Sequence, residues 1–225
     1  GMENILQVRT DPRTNAMDAG HLEEILRQCA AGGVPVAAIV CTMGTTDANA
    51  FDPAEQVRAL IDRYPNPAGY GRTLLYCDAV VGWSWTLFQP YDFDANPLGF
   101  SDEILPYLKR DAQAAGAIRH ADAVGVDFHK VGWTPYASSA FIYRDAAEFE
   151  SLHTRPGSAY LQRRSPYNPL DYTLEVSRAA TGSLAGWATL KYFGYEGFQA
   201  VLGGILETNM YFRHLLARRD DMVCA

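Results

Sequence analysis

The stretch Ala121–Asp145, ADAVGVDFHKVGWTPYASSAFIYRD, decides how this chain folds. Its first part, ADAVGVDF, is a short apolar run of the buried-strand type. Its last part, SSAFIYRD, reads as a further strand. The residues between them are too few for a crossover helix, so the second strand is predicted to run antiparallel to the first. Lys130 follows His129 where the first run ends, and the chain has only two other lysines, Lys109 and Lys191. The stretch therefore puts a scarce amine at the carboxyl end of a strand.

Upstream, strands alternate with helices. MDAGHLEEILRQCAAGG reads as a helix, with Asp18 as N-cap, Leu22, Ile25 and Leu26 at helical spacing, and Gly32 and Gly33 as the stop. VPVAAIVCTMG is a continuous apolar run, predicted to be a buried strand. DPAEQVRALIDRY is a second helix, with Asp52 expected as N-cap and Pro53 at the first helical position. TLLYCDAV is another buried strand, and SDEILPYLKRDAQAAG is helical, interrupted or begun anew near Pro106. This alternation predicts an α/β layer with a mostly parallel sheet. Downstream, His153–Asp171 is irregular and polar, of a length that is often functional or mobile. From Ser183 to Arg219 the pattern is helical again, broken into two helices at GYEG, Gly194–Gly197.

Composition narrows the function. Of 225 residues, 48% are hydrophobic and 20% charged, which suits a folded globular chain. The net charge of -7 argues against nonspecific nucleic-acid binding, which needs a basic face. No apolar run reaches the length of a membrane span. The four cysteines, Cys29, Cys41, Cys77 and Cys224, match no zinc spacing, and Cys41 and Cys77 lie in strand-like runs where free thiols are common. A reducing, cytoplasmic setting is expected.

In open α/β sheets ligands bind at the carboxyl ends of the strands. CTMGTT, CDAVVGW and DFHK all fall at such ends. Asp78 closes an apolar run, where a carboxylate is costly unless paired. It reads either as a core hydrogen bond or cap, or as the partner of a cation held in the site. Lys130 reads either as a lysine reaching water or as an amine that forms a Schiff base. His129 is a phosphate contact or a satisfied strand-end histidine. Gly44, Thr45 and Thr46 make either an ordinary turn or a small, hydroxyl-bearing strand end. Together, a lysine, an upstream aspartate and hydroxyls on one sheet edge match what pyridoxal phosphate needs. A carboxylate about 3 Å from the ring nitrogen, at an effective dielectric of about 20, attracts it by on the order of 5 kcal/mol before desolvation. That is worth a few pKa units, enough to keep the nitrogen protonated at neutral pH.

The segments CTMGTTDANAFDP, LLYCDAVVGW, ADAVGVDFHKVGWTPYASSAFIYRD and TLEVSRAATGSLAGWATLKYFGYEGF resemble, in order and spacing, the group II pyridoxal-phosphate-dependent amino-acid decarboxylases. Glutamate, aromatic amino-acid and diaminobutyrate decarboxylases belong to that family. The resemblance implies the aspartate-aminotransferase-like fold, fold type I. It implies that Lys130 forms the internal aldimine and that Asp78 pairs with the pyridine nitrogen. It also implies that Val80 packs on the pyridine ring, and that Thr46, Asp127 and His129 help to place the cofactor. Tyr160 in GSAYLQ matches the mobile-loop tyrosine that reprotonates the carbanion. The family pattern DAAxGG is here Asp78-Ala79-Val80-Val81-Gly82-Trp83, and Ala123 stands where many members have serine. These departures bear on the substrate class.

The resemblance further implies a fragment. Residues 1–182 would be the C-terminal part of the large, cofactor-binding domain, with a mobile catalytic-type loop at 153–172. Residues 183–225 would be a helical segment leading towards a small domain. Decarboxylation of an L-amino acid by a homodimer is the function so implied. The alternatives are another lyase reaction of pyridoxal phosphate on the same fold, or a non-catalytic structural remnant of it.

Overall fold

The computed structural model describes residues 4–151 and 179–221. Its frame is a four-stranded sheet in the order β1-β2-β3-β4, made of β1 (Ala38–Thr42), β2 (Leu74–Asp78), β3 (Ala123–Asp127) and β4 (Ser139–Tyr143). The first three strands run parallel and β4 returns antiparallel to β3, as the short connection requires. The helices are α1 (Ala19–Ala31), α2 (Ala54–Arg63), α3 (Leu105–Ala115), α4 (Phe128–Val131), α5 (Ala146–Ser151) and α6 (Thr181–Leu216). Two 3₁₀ segments, η1 (Gly82–Phe88) and η2 (Gly116–His120), flank the β2-to-β3 crossover.

Helix α1 starts where its cap dictates. The Asp18 side chain accepts from the His21 N–H at 3.0 Å, and the helix stops at Gly32 and Gly33, the latter at φ 65°. Helix α2 differs from expectation. Pro53 is its N-cap, and Asp52 does not cap it. The Asp52 carboxylate instead accepts from the N–H groups of Met17 at 2.6 Å and Thr42 at 2.7 Å, tying the segment before α1 to the end of β1. Two tertiary donors satisfy that carboxylate better than a free helix end could. Helix α3 begins at Leu105 with Pro106 in its first turn, so the proline opens the helix rather than interrupting it. Helix α6 is two helices across a break at Gly194 (φ 58°), inside the predicted GYEG breaker.

The sheet buries one face. Ile39, Cys41, Leu75, Cys77 and Val126 point into a core shared with Leu22 and Leu26 of α1 and Val57, Leu60 and Ile61 of α2. A second cluster, Phe88, Tyr91, Phe100, Ile104, Leu108, Ala112 and Leu202, joins η1, its following loop, α3 and the second half of α6. The other sheet face corrects the reading of β1 as buried on both sides. Val40 is 56% exposed, and Phe141 on β4 is 57% exposed. An apolar run cannot say which of its faces a neighbour covers.

Below the sheet, Asp122 gathers the start of β3. It accepts from the Leu75 N–H at 2.7 Å and pairs with Arg58 at 2.6 Å and Arg72 at 2.8 Å. Burial raises its pKa, but these donors outweigh burial and hold it below the usual carboxylate range.

Candidate active site

The carboxyl ends of β1, β2 and β3 open on one edge, and the loops that follow them are held against each other by glycine. A Cβ at Gly44 would lie 2.6 Å from the Cα of Gly82, and Gly44 has φ 92°. The Gly82 N–H donates to the Met43 carbonyl at 3.1 Å. Only residues without side chains let the turns after β1 and β2 approach so closely.

Parallel register then sets which side chains share a face. Asp78 is in register with Thr42 on β1 and Gly125 on β3, and Asp127 lies two residues beyond Gly125. Asp78 and Asp127 therefore project from the same side of the sheet, at its carboxyl edge. Asp78 is half-buried and accepts from the Val80 N–H at 3.3 Å, which turns the chain immediately after β2. Val80 itself is half-buried beside it.

Lys130 sits on α4, the single turn that caps β3. Its Nζ lies 3.1 Å from Asp127 Oδ2, and the same oxygen is 3.3 Å from His129 Nε2. The Ser139 hydroxyl donates to the other oxygen at 2.6 Å. Burial raises the Asp127 pKa, but Ser139, Lys130 and the His129 charge outweigh it and hold the carboxyl below its usual range. His129 Nδ1 faces Ser138, 2.9 Å from its carbonyl and 3.2 Å from its N–H, and its ring lies 4.0 Å from that of Tyr136. Lys130 keeps 35% of its side chain exposed.

Surrounding contacts fix this turn. The Phe128 N–H donates to the Ser138 carbonyl at 2.8 Å, and the Ser138 hydroxyl donates to the Gly182 carbonyl at 2.6 Å. Gly186 lets α6 close on the Phe128 ring, and Trp83 Nε1 donates to the Asp127 carbonyl at 3.0 Å. The start of α6 and the segment after β2 thus clamp the lysine-bearing turn from two sides.

The structure brings Lys130, His129 and Asp127 together and sets Asp78 and Val80 on the neighbouring strand end. No hydrogen bond or ion pair joins Asp78 to Lys130 among the described residues. Thr46 is exposed on the turn after β1 and bonds to none of the others, whereas its neighbour Thr45 closes the turn by accepting from the Ala50 N–H at 3.0 Å. Tyr160 lies outside the described residues. Sequence reading missed Ser139 and Trp83. Ser139 was within reach of it, being the register partner of Asp127 in an antiparallel pair. Trp83 was not, because its bond to β3 spans a crossover.

The donor set fits pyridoxal phosphate by its chemistry. It offers one amine able to hold an aldehyde and one carboxylate on an adjoining strand end able to face a ring cation, with backbone turns kept free of side chains between β1 and β2.

No family model matches the chain. It is 23% identical over 205 residues to the L-2,4-diaminobutyrate decarboxylase of Acinetobacter baumannii, an alignment covering 90% of this chain and 34% of that protein. It is 24% identical to the L-tyrosine decarboxylase of Enterococcus faecalis, covering 96% of this chain and 37% of that one. The chain thus spans little more than a third of the length of these relatives. Among solved structures, Oryza sativa TDC with PLP and tryptamine superposes at TM-score 0.72 and 21% identity, covering 99% of this chain and 41% of that one. Mouse CSAD in apo form superposes at 0.70 and 20% identity, covering 98% and 40%. The fold is fold type I, represented by part of its sheet and flanking helices. In sequence and in fold alike, the chain resembles part of a group II pyridoxal-phosphate-dependent amino-acid decarboxylase.

Proposed function

We propose that the protein decarboxylates an L-amino acid with pyridoxal phosphate held on Lys130. The observation that carries this reading is the placement of Lys130 and Asp78 at the carboxyl ends of adjacent parallel strands, with Asp127 on the same face as Asp78 and paired to the lysine. The decarboxylases among its relatives support the reaction class.

When bound, the cofactor supplies an electron sink for the carbanion left as carbon dioxide departs. Lys130 would supply the amine that holds the cofactor's aldehyde. Asp127, itself held by the Ser139 hydroxyl, pairs with that amine at the strand end. Asp78 faces the ring cation, and its neighbour Val80 offers an apolar wall. His129, tied to Ser138 through Nδ1 and set against Asp127 through Nε2, keeps the lysine turn in place. Tyr160 would be the proton donor, with Thr46 at the rim. Residues 1–182 form part of the cofactor-binding domain, with the catalytic-type loop at 153–172, and 183–225 lead towards a small domain.

The protein acts as a homodimer. Supporting this, the two halves of α6 expose Trp187 (62%), Tyr192 (85%) and Tyr211 (65%), large aromatic side chains open to a partner. No helix among the described residues is long and apolar enough to cross a membrane. Free, buried Cys29, Cys41 and Cys77 support a reducing cytoplasm.

The test uses the protein expressed from its complete reading frame. Borohydride reduction followed by peptide mapping should place the cofactor on Lys130. Lys130→Ala should lose the visible absorbance of covalently held cofactor. Carbon dioxide release should be seen with at least one L-amino acid of a panel. Covalent absorbance that survives Lys130→Ala sinks the lysine assignment. Cofactor binding without carbon dioxide release from any amino acid would favour another lyase reaction.

A further inference from the structure

Tyr76 was singled out by no motif, yet it stands on the same side of β2 as Asp78, two residues before it. Its register partner on β3 is Ala123, and Gly125 is the next residue on that face. A Cβ at Gly125 would overlap the Tyr76 Oη, so the phenol lies across β3 and reaches diagonally towards the carboxyl edge. Its ring stacks on Phe141 of β4, with centroids 6.1 Å apart and planes 29° apart.

The hydroxyl has a definite character. Burial pushes the phenol's pKa up, and the nearby charges of Asp78 and Asp127 push it further the same way. It therefore stays O–H and acts as a donor. It has no hydrogen-bond partner among the described residues, although the ring is half-buried. A glycine is thus placed where it makes room for a donor that the described residues leave unused, beside the two carboxylates of the candidate site.

We propose that Tyr76 is a further binding residue of this site, donating its phenolic O–H to an acceptor atom of bound pyridoxal phosphate. The proposal rests on the cofactor reading above. Stacking on Phe141 and the approach over Gly125 aim the hydroxyl, and Asp78 and Asp127 bracket it. A bound ligand on this face can supply the acceptor.

The test is an absorbance titration of the complete protein with pyridoxal phosphate, alongside thermal unfolding of each variant without cofactor. Tyr76→Phe keeps the ring and its stacking on Phe141 and removes only the donor. It should raise the cofactor dissociation constant about tenfold while leaving the unfolding temperature of the cofactor-free protein unchanged. Gly125→Ala should weaken the cofactor to a similar degree by displacing the phenol. In the Tyr76→Phe background the same glycine change should add less than about twofold, because the displaced hydroxyl is already gone. Tyr76→Phe binding within about twofold of the unsubstituted protein overturns the proposal, as does a full, additive effect of Gly125→Ala. Failure of the cofactor reading looks different: the unsubstituted protein would show no saturable binding at all, and both ideas would fall together.

Discussion

Lys130 owes its position to Asp127, and Asp127 owes its anionic state to three neighbours. Because the folded carboxyl is held below its usual value of 3.8, the pairing is fully present above that value and is lost only as pH falls through the lower, folded one. Cofactor retention due to this pair should therefore stay level across neutral and mildly acidic pH and fall only in stronger acid. Asp127→Asn keeps the size but removes the charge, and should weaken cofactor retention about tenfold, a modest loss because Lys130 is partly solvated. A cofactor titration at several pH values checks both statements. Asp78→Asn should cost more. Losing an anion opposite a ring cation is worth about 3 kcal/mol or roughly a hundredfold in kcat/KM, measured by carbon dioxide release. The thiols make a contrasting case. Cys77 is pushed up to about 12, chiefly by burial, and Cys41 higher still, so alkylating reagents should leave both untouched in the folded protein.

At the scale of elements, the site depends on how strand ends are tied together. Asp122 joins β3 to β2 through the Leu75 N–H, to α2 through Arg58, and to the segment before β2 through Arg72. Asp122→Asn leaves two arginines facing a neutral amide at a 7% exposed position, and should destabilise the fold by about 3 kcal/mol in urea unfolding. Since its folded pKa is depressed, this contribution holds above the ordinary carboxylate value and fades as pH falls below it. The Asp52 result shows a limit of local rules. A cap motif competes with any tertiary donor within reach, and here the Met17 and Thr42 N–H groups win.

For the whole molecule, the exposed aromatic residues of α6 and the open sheet face of Val40 and Phe141 leave much apolar surface uncovered among the described residues. If α6 forms the homodimer contact, Trp187→Glu with Tyr211→Glu should shift the complete protein from dimer to monomer in analytical ultracentrifugation, while its circular dichroism stays unchanged. A dimer that persists unweakened would exclude that helix from the contact.

Local pattern determined a good deal by itself. The order of strands and helices, the antiparallel return of β4, the cap at Asp18, the opening of α3 at Pro106 and the break at Gly194 all follow from short-range sterics and hydrogen bonding, which act within a few residues. The apolar runs around Cys41 and Cys77 pointed to strands, but their burial depends on the helices α1 and α2 packed over that face. Tertiary structure alone decided which face of β1 stays open, where the Asp52 carboxylate goes, and that Asp127 joins Lys130 to Ser139. It also decided that Tyr76 lies across Gly125 towards the carboxylates. Each of these depends on register between strands far apart in the chain, and register is a property of the assembled sheet.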